Sequence, residues 1–324
     1  MNTDDKILEL FKKKKDSYLS GEEVSHSLGI SRQALWKHIE KLRDTGYIID
    51  AVPHLGYKLM RVPDKILTPE VTWNLKTKIM GKEIYSHESV GSTNDIAYRM
   101  ALEGAGEGIV VIAEEQTRGR GRLGRKWASP SGYGVYLSCV LRPDISPLEV
   151  STITLVGGVS AAKAIRVFTG LEALVRWPND ILISDRKAGG ILTELQAETD
   201  KVNFVILGIG ININTPRNLL PGDSTSLREE SRNKSAFSRV DFIKLFLRSF
   251  EDRYIMFKEK GFSPLMGELK SYSCTLGRDV NIATGGNKKI SGKAIDIDEN
   301  GALVVKLQNG KQKIFFSGDV TFIR

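Results

Sequence analysis

The chain has 324 residues, of which 41% are hydrophobic and 27% charged, and a formal net charge of +8. That length exceeds what one ordinary core organises and predicts two or three domains. No apolar run approaches the roughly 18 residues of a membrane helix. The start, Met1-Asn2-Thr3-Asp4-Asp5-Lys6, lacks a signal peptide's apolar stretch, so a cytoplasmic protein without a membrane partner is expected. Cys139 and Cys274 lie far apart with no CxxC, and the four histidines are scattered. These features exclude a disulfide framework and offer no protein metal site.

Residues 1–63 read as one compact module. Ile7, Leu8, Leu10 and Phe11 form the apolar face of a first helix that ends in the run from Lys12 to Lys15, whose charge suits the helix dipole. Ser20, with Glu23 three residues on, caps a short helix that stops at Gly29. Ser31 starts another, with Ala34, Leu35, Ile39 and Leu42 on one face and Gly46 as its stop. The other face carries Ser31, Arg32, Gln33, Lys37, His38 and Lys41, a donor-rich surface suited to a DNA major groove. Two strand-like pieces, 47–50 and 56–59, follow as a wing, so a winged helix-turn-helix is predicted. With 11 basic against 9 acidic residues, the module would depend on localised charge and on dimerisation to hold DNA. Leu67-Thr68-Pro69-Glu70 opens the next helix, and the boundary is expected near residue 64.

From residue 83 strand-like and helix-like segments alternate. Strands are expected at 83–87, 109–113, 135–141, 174–177, 181–183, 190–195 and 203–213, and helices at 93–102 and 148–168, with two more between 239 and 272. Hairpin-like spacing predicts a mixed sheet flanked by helices, not a doubly wound parallel one.

Four clusters fall on loops or strand ends of this sheet, where ligands are commonly held. Ser92-Thr93-Asn94 follows Gly91, and Ser92 reads equally as a helix cap. Arg118-Gly119-Arg120-Gly121-Arg122-Leu123-Gly124-Arg125-Lys126 packs five cations and three glycines into nine residues, as a loop that closes over an anion would. Its glycines satisfy G-x-G-x-x-G, but turn chemistry from Trp127 to Gly134 follows in place of the helix a dinucleotide fingerprint requires. Arg176-Trp177-Pro178-Asn179-Asp180 presents Asn179 and Asp180 at a turn. Lys187-Ala188-Gly189-Gly190 places one lysine before the buried strand at 190–195. Residues 275–324 read as short strands joined by tight turns at Asn300-Gly301 and Asn309-Gly310, predicting a small antiparallel barrel.

The series STN, EEQTRGRGRLGRKW, RWPND, KAGGILTE and GIGININ, in order over nearly the whole chain, resembles the biotin protein ligase family. The N-terminal module makes it similar to the bifunctional form that is also a biotin-operon repressor. The resemblance implies an α+β multidomain protein: a winged helix-turn-helix (1–63), a class II synthetase-like catalytic domain (64–274) and an SH3-like domain (275–324). It implies that biotin and ATP form biotinyl-5'-adenylate with Mg²⁺, and that biotin then passes to a lysine in the acceptor domain of a biotin-dependent carboxylase. It further implies a ligand-promoted homodimer on operator DNA.

Carried to this sequence, it assigns catalysis to Lys187, Asp180 and Arg122. Biotin would be held by Ser92, Thr93, Asn94, Gln116, Gly119, Arg120, Arg122, Lys187 and Gly190, with Ile191 and Leu192 as apolar wall. ATP and the adenylate would be held by Arg122, Arg125, Lys126, Trp127, Asn179, Lys187 and Asn212, although Asn212 reads equally as a polar strand end. The adenine loop corresponds to Leu219–Asn233, a segment of low hydrophobicity expected to lack order without ligand. Two other functions share these residues: a ligand-responsive transcription factor without catalysis, and a ligase that never meets DNA.

Overall fold

The structure, a computed structural model, describes residues 2–14, 16–284 and 289–323. It divides into two compact units, Met1–Trp73 and Asn74–Arg324.

The first unit contains α1 (Thr3–Lys13), α2 (Gly21–Leu28), α3 (Arg32–Asp44), the antiparallel hairpin of β1 (Ile48–Val52) and β2 (Gly56–Arg61), and the short α4 (Thr68–Thr72). Each helix starts where its cap dictates. Asn2, Ser20 and Ser31 side chains accept from the amides of Asp5, Glu23 and Ala34, satisfying donors a helix start leaves open. Ile7, Leu8, Phe11, Leu35, Ile39 and Leu42 meet in one core, as their helical spacing predicts. The unit ends at Trp73, beyond the boundary expected near 64, and a buried polar cluster explains why. Glu70 on α4 accepts from Lys12 Nζ at 2.7 Å and from the Tyr47 hydroxyl at 2.8 Å, binding the segment after the wing to α1 and to the start of β1. Burial beside Glu70 drives the Tyr47 pKa upward.

In the second unit the chain runs β3 (Ile84–Val90), α5 (Thr93–Leu102), β4 (Val110–Gln116), β5 (Val135–Leu141), α6 (Val150–Thr169), β6 (Ala173–Arg176), β7 (Asp180–Ile183), β8 (Arg186–Ala197) and β9 (Val202–Ile211). The helices α7 (Leu227–Glu230), α8 (Arg239–Lys260) and α9 (Met266–Tyr272) follow. Among the described residues seven strands form one sheet in the order β3-β4-β5-β9-β8-β7-β6. The β3–β4 pair is parallel and its other ladders are antiparallel, so the sheet is mixed, as expected. Along α8 the rings of Phe246, Phe250 and Tyr254 stack at four-residue spacing, with centroids 5.9 and 5.5 Å apart. Each such ring is worth about 1.5–3 kcal/mol when fully buried.

The segment Pro147–Thr169 is long and apolar enough to cross a membrane by length and composition, which differs from the expectation of no such run. In the structure 78% of its apolar window is buried inside the protein, so it serves as a core helix against the sheet and α8. The cysteines are buried and free, and burial pushes the thiols of Cys139 and Cys274 up to about 12 and about 11.

The C-terminal strands are β10 (Asp279–Ala283), β11 (Lys289–Ile297), β12 (Leu303–Lys306), β13 (Gln312–Phe315) and β14 (Asp319–Phe322). They pair antiparallel in the order β13-β12-β11-β10-β14. This small sheet is tied to the large one through Trp177, whose backbone amide donates to Thr275 Oγ1 and whose Nε1 donates to the Gly301 carbonyl, both at 2.9 Å.

Candidate functional site

The floor of the main cleft is made by β8 and β9, which lie side by side with Gly190 opposite Gly210 and Leu192 opposite Gly208. Glycine is needed there for space. A Cβ at Gly208 would lie 2.1 Å from Asn94 Oδ1, and one at Gly210 would lie 2.5 Å from Trp127 Nε1. Removing those side chains lets Asn94 and Trp127 sit directly on the sheet, with Ile191, Leu192 and Ile209 as apolar lining.

One end of the cleft is a polar network. Thr93, the first residue of α5, donates from its amide and its hydroxyl to Gln116 Oε1 at 2.9 and 3.1 Å. Gln116 Nε2 reaches Ser129 Oγ at 3.0 Å. The Ser138 hydroxyl lies 2.6 Å from Asn94 Oδ1 and 2.8 Å from Thr93 Oγ1, and Asn94 Nδ2 donates to Glu194 at 2.6 Å. Ser92 occupies the N-cap position, but its side chain makes no cap hydrogen bond. Of its two readings, the capping one is not what the side chain does.

The basic loop forms a narrow hairpin. Arg120 bridges to Lys126, Gly121 N donates to Arg125 O at 2.7 Å, and a three-residue 3₁₀ turn spans Arg122–Gly124 with Leu123 at φ +56°. No α-helix opens at these glycines, so the dinucleotide fingerprint fails, as the following turn residues predict. Arg120 is held by Asp95 at 2.6 Å and Glu194 at 3.0 Å; burial opposes, but these carboxylates raise its pKa. Arg122 donates to Asn179 Oδ1 at 3.3 Å and to the Gly318 carbonyl at 3.1 Å. Burial pulls its pKa down against the pull of Asp319 and Asp180, yet a guanidinium stays charged. Arg125 pairs with Asp319, while Lys126 makes no ion pair among the described residues.

At the other end, RWPND is the turn of the β6–β7 hairpin. Asp180 accepts from Lys187 Nζ at 2.5 Å and from Arg176 Nη2 at 2.6 Å. Lys187 also stands 5.5 Å from the Trp127 ring centroid. Burial would raise the Asp180 pKa, but Lys187 and Arg176 outweigh it and hold the carboxyl below its ordinary 3.8. Because the folded pKa is depressed, the carboxylate's contribution to stability is complete above about 3.8 and fades as pH falls through the lower folded value. Asp180→Asn should therefore lower Tm by a constant amount through neutral pH, worth about 1–3 kcal/mol. Thermal melts at successive pH values would show this gap closing only below that point; a gap closing near neutrality would contradict the pairing.

The cleft thus gathers Ser92, Thr93, Asn94, Gln116, Arg120, Arg122, Arg125, Lys126, Trp127, Asn179, Asp180, Lys187 and Gly190, all named from sequence. Two expected residues lie outside it. Gly119 sits under the Trp127 carbonyl and lines a neighbouring cavity instead. Asn212 is buried beneath, donating to the Thr225 carbonyl at 3.0 Å, so it supports a segment and does not line the cleft. Lys187 lies at a strand end, as its cluster was expected to, but in a strand that begins at Arg186, earlier than the expected 190. The sequence reading missed Asp319, Glu194 and Asp95. Glu194 had a signal, an acid inside an apolar strand; Asp319 had none.

On the N-terminal unit several of the expected DNA-facing side chains have partners on the protein itself. His38 Nδ1 and Lys41 Nζ both approach Asp4, at 2.6 and 2.7 Å, which holds that carboxyl below its ordinary pKa despite partial burial. The two side chains face α1 because Asp4 stands in its first turn. Arg32 pairs with Glu22 at 2.9 Å and the Ser31 hydroxyl caps α3. Gln33 and Lys37 remain exposed.

A helix-turn-helix unit is followed by a domain built on a mixed, mostly antiparallel sheet with a cation-lined cleft, the layout of a nucleic-acid-type module joined to an anion-handling α+β domain. Residues 86–212 match the biotin/lipoate A/B protein ligase family, residues 4–58 an HTH domain, and residues 275–322 the biotin protein ligase C terminal domain. The chain is 39% identical over 318 residues to the bifunctional ligase/repressor BirA of Bacillus subtilis, covering 97% of each chain. It is 32% identical over 309 residues to BirA of Escherichia coli, covering 93% of this chain and 92% of that one. The structure of a biotin protein ligase from Aquifex aeolicus in complex with biotin and ATP is similar with a TM-score of 0.63 at 30% identity, covering 75% of this chain and 99% of that one. The chain belongs to the biotin protein ligase family.

Proposed function

We propose that the protein is an ATP-dependent biotin–[acetyl-CoA-carboxylase] ligase and a biotinyl-adenylate-dependent repressor. One observation carries the enzymatic half: Lys187, fixed by Asp180, faces the Arg122–Lys126 stretch across a glycine floor. Five cationic residues against two acids line the cleft, which suits a carboxylate brought to an α-phosphate. In the first step a biotin carboxylate oxygen bonds to the α-phosphorus and the bond to the β-phosphate oxygen breaks, releasing pyrophosphate. In the second, a neutral lysine amine attacks the acyl carbon, the bond to AMP breaks and the amine loses a proton.

In this reading Ser92, Thr93, Asn94, Gln116 and Arg120 frame the ureido end of biotin, and the isoleucine and leucine side chains line its apolar body. Lys187 and Arg122 neutralise the reacting anions. Trp127, whose buried Nε1 has no hydrogen-bond partner among the described residues, and Asn179 lie on the nucleotide side with Arg125 and Lys126. Asp180 holds Lys187 in place; paired to two cations, it is a positioning residue. No group of three carboxylate, histidine or cysteine ligands occurs among the described residues. Mg²⁺ is therefore expected to arrive on the phosphates of ATP, whose charge it offsets, and not in a protein cage. The N-terminal module reads a two-fold operator as a ligand-promoted homodimer, in the cytoplasm.

Incubation with biotin, ATP and an acceptor domain tests the ligase: no biotinylated lysine sinks it, and no pyrophosphate shows that even the first step is missing. DNA affinity indifferent to biotin plus ATP removes the repressor and leaves a ligase. Arg122→Gly should release adenylate on the order of 10- to 100-fold faster, the worth of one or two hydrogen bonds to a charged group. Trapping the released adenylate from preloaded enzyme checks this, and an unchanged rate counts against a guarding loop.

A further inference from the structure

We propose that Trp36 is the base-reading anchor of the N-terminal module, laying its indole on a thymine 5-methyl group in the major groove beside an adenine read by Gln33. The proposal rests on the DNA-binding reading above. The helix α3 turns Leu35, Ile39 and Leu42 into the core, and that core closes without Trp36. On the opposite side, Gln33, Trp36 and Lys37 are spaced by three and four residues and share one face. Trp36 is 53% exposed, although an indole gains most from being covered.

The neighbours decide what covers it. Of the six polar residues expected to face DNA, Ser31 caps the helix, Arg32 pairs with Glu22, and His38 and Lys41 pair with Asp4. Gln33 and Lys37 make no side-chain hydrogen bond or ion pair among the described residues, so an amide and an ammonium flank the indole with no competing partner there. These lie in the first half of the second helix of a helix-turn-helix, the part that meets base edges. An amide there pairs with adenine N6 and N7, and an ammonium with guanine or phosphate. The apolar group on the major-groove floor is the thymine methyl, the partner left for an indole. A cationic residue beside the indole favours a polyanion over a protein partner.

The test uses the full-length protein with biotin and ATP, and a duplex selected by it from a random-sequence pool. Thymines in that duplex are replaced one at a time by deoxyuridine, which removes only the methyl group. Wild type should lose about fourfold in affinity at one thymine of each half-site, the worth of one buried methyl group. Trp36→Ala should bind more weakly and be blind to that replacement, with Trp36→Phe between; circular dichroism and Tm should be unchanged, since the ring is outside the core. Lys37→Ala should instead flatten the salt dependence of binding without changing thymine sensitivity. Overturning results are a Trp36→Ala variant that binds like wild type, or one that stays as thymine-sensitive. A wild type that binds no DNA would sink the repressor reading and this inference together, a separate and recognisable outcome.

Discussion

Lys187→Met should slow adenylate formation by about 10²–10³-fold at saturating biotin and ATP, the usual effect of removing one charge aimed at a developing anion. The side chain is 33% exposed and its ammonium faces Asp180 and the Trp127 ring, so little packing is lost. Asp180 keeps Arg176 at 2.6 Å, which prevents an orphaned buried carboxylate. The backbone of residue 187 is held separately, because its carbonyl accepts from Thr225 N at 2.8 Å whatever the side chain. Pyrophosphate release measures the step. Supplying ready-made adenylate should restore most of the transfer to the acceptor lysine, because the missing charge acts on phosphate. Lys187→Arg should not rescue, since a planar fork cannot take the place of a compact ammonium beside Asp180. Full activity in the methionine variant would remove Lys187 from the chemistry.

Arg239→Met should cost about 3–5 kcal/mol of stability, the penalty for stripping one partner from a buried ion pair. Arg239 is 1% exposed, and its two terminal nitrogens meet Glu114 at 2.6 and 3.3 Å. It stands at the start of α8 while Glu114 stands on β4, so the pair fastens the long helix to the strand that ends at Gln116. A Tm fall of roughly 10 °C follows at about 2–4 °C per kcal/mol for a unit of this size. Denaturant unfolding measures it, and Arg239→Met combined with Glu114→Gln should recover part of the loss by removing the buried negative charge. A loss below about 1 kcal/mol in the single variant would mean that water reaches Glu114.

Much of this architecture was legible because it is written locally. Two helices of the N-terminal unit, α2 and α3, announce themselves through Ser20, Gly29 and Ser31, and α5 and β5 match their expected ranges. Failures came where distant partners decide. The strand that carries Lys187 was expected to start at 190, yet pairing with β7 begins β8 at Arg186. Leu219–Asn233 was expected to lack order, but Leu227 is fully buried and its amide donates to the Asn212 carbonyl, as Arg228 N does to Ile213 O. Low local hydrophobicity cannot register bonds offered by a strand elsewhere. The pairing of His38 and Lys41 with Asp4 was not visible either, because Asp4 is far away in sequence. In the cleft, residue types with obvious chemistry were found, Asp180 among them, but the carboxylates that hold the loop arginines, Asp95, Glu194 and Asp319, were not.

The latch from Arg125 to Asp319 and from Arg122 to the Gly318 carbonyl bears on how divisible this protein is. The small C-terminal sheet matches a domain of its own, which invites trimming it away to obtain a minimal ligase. Such a truncation would cut the tether of the reactive loop and uncover the Trp177 indole in one stroke, because Gly301 and Thr275 leave with it. The C-terminal sheet is separable as a matched segment but not as a working part of the cleft.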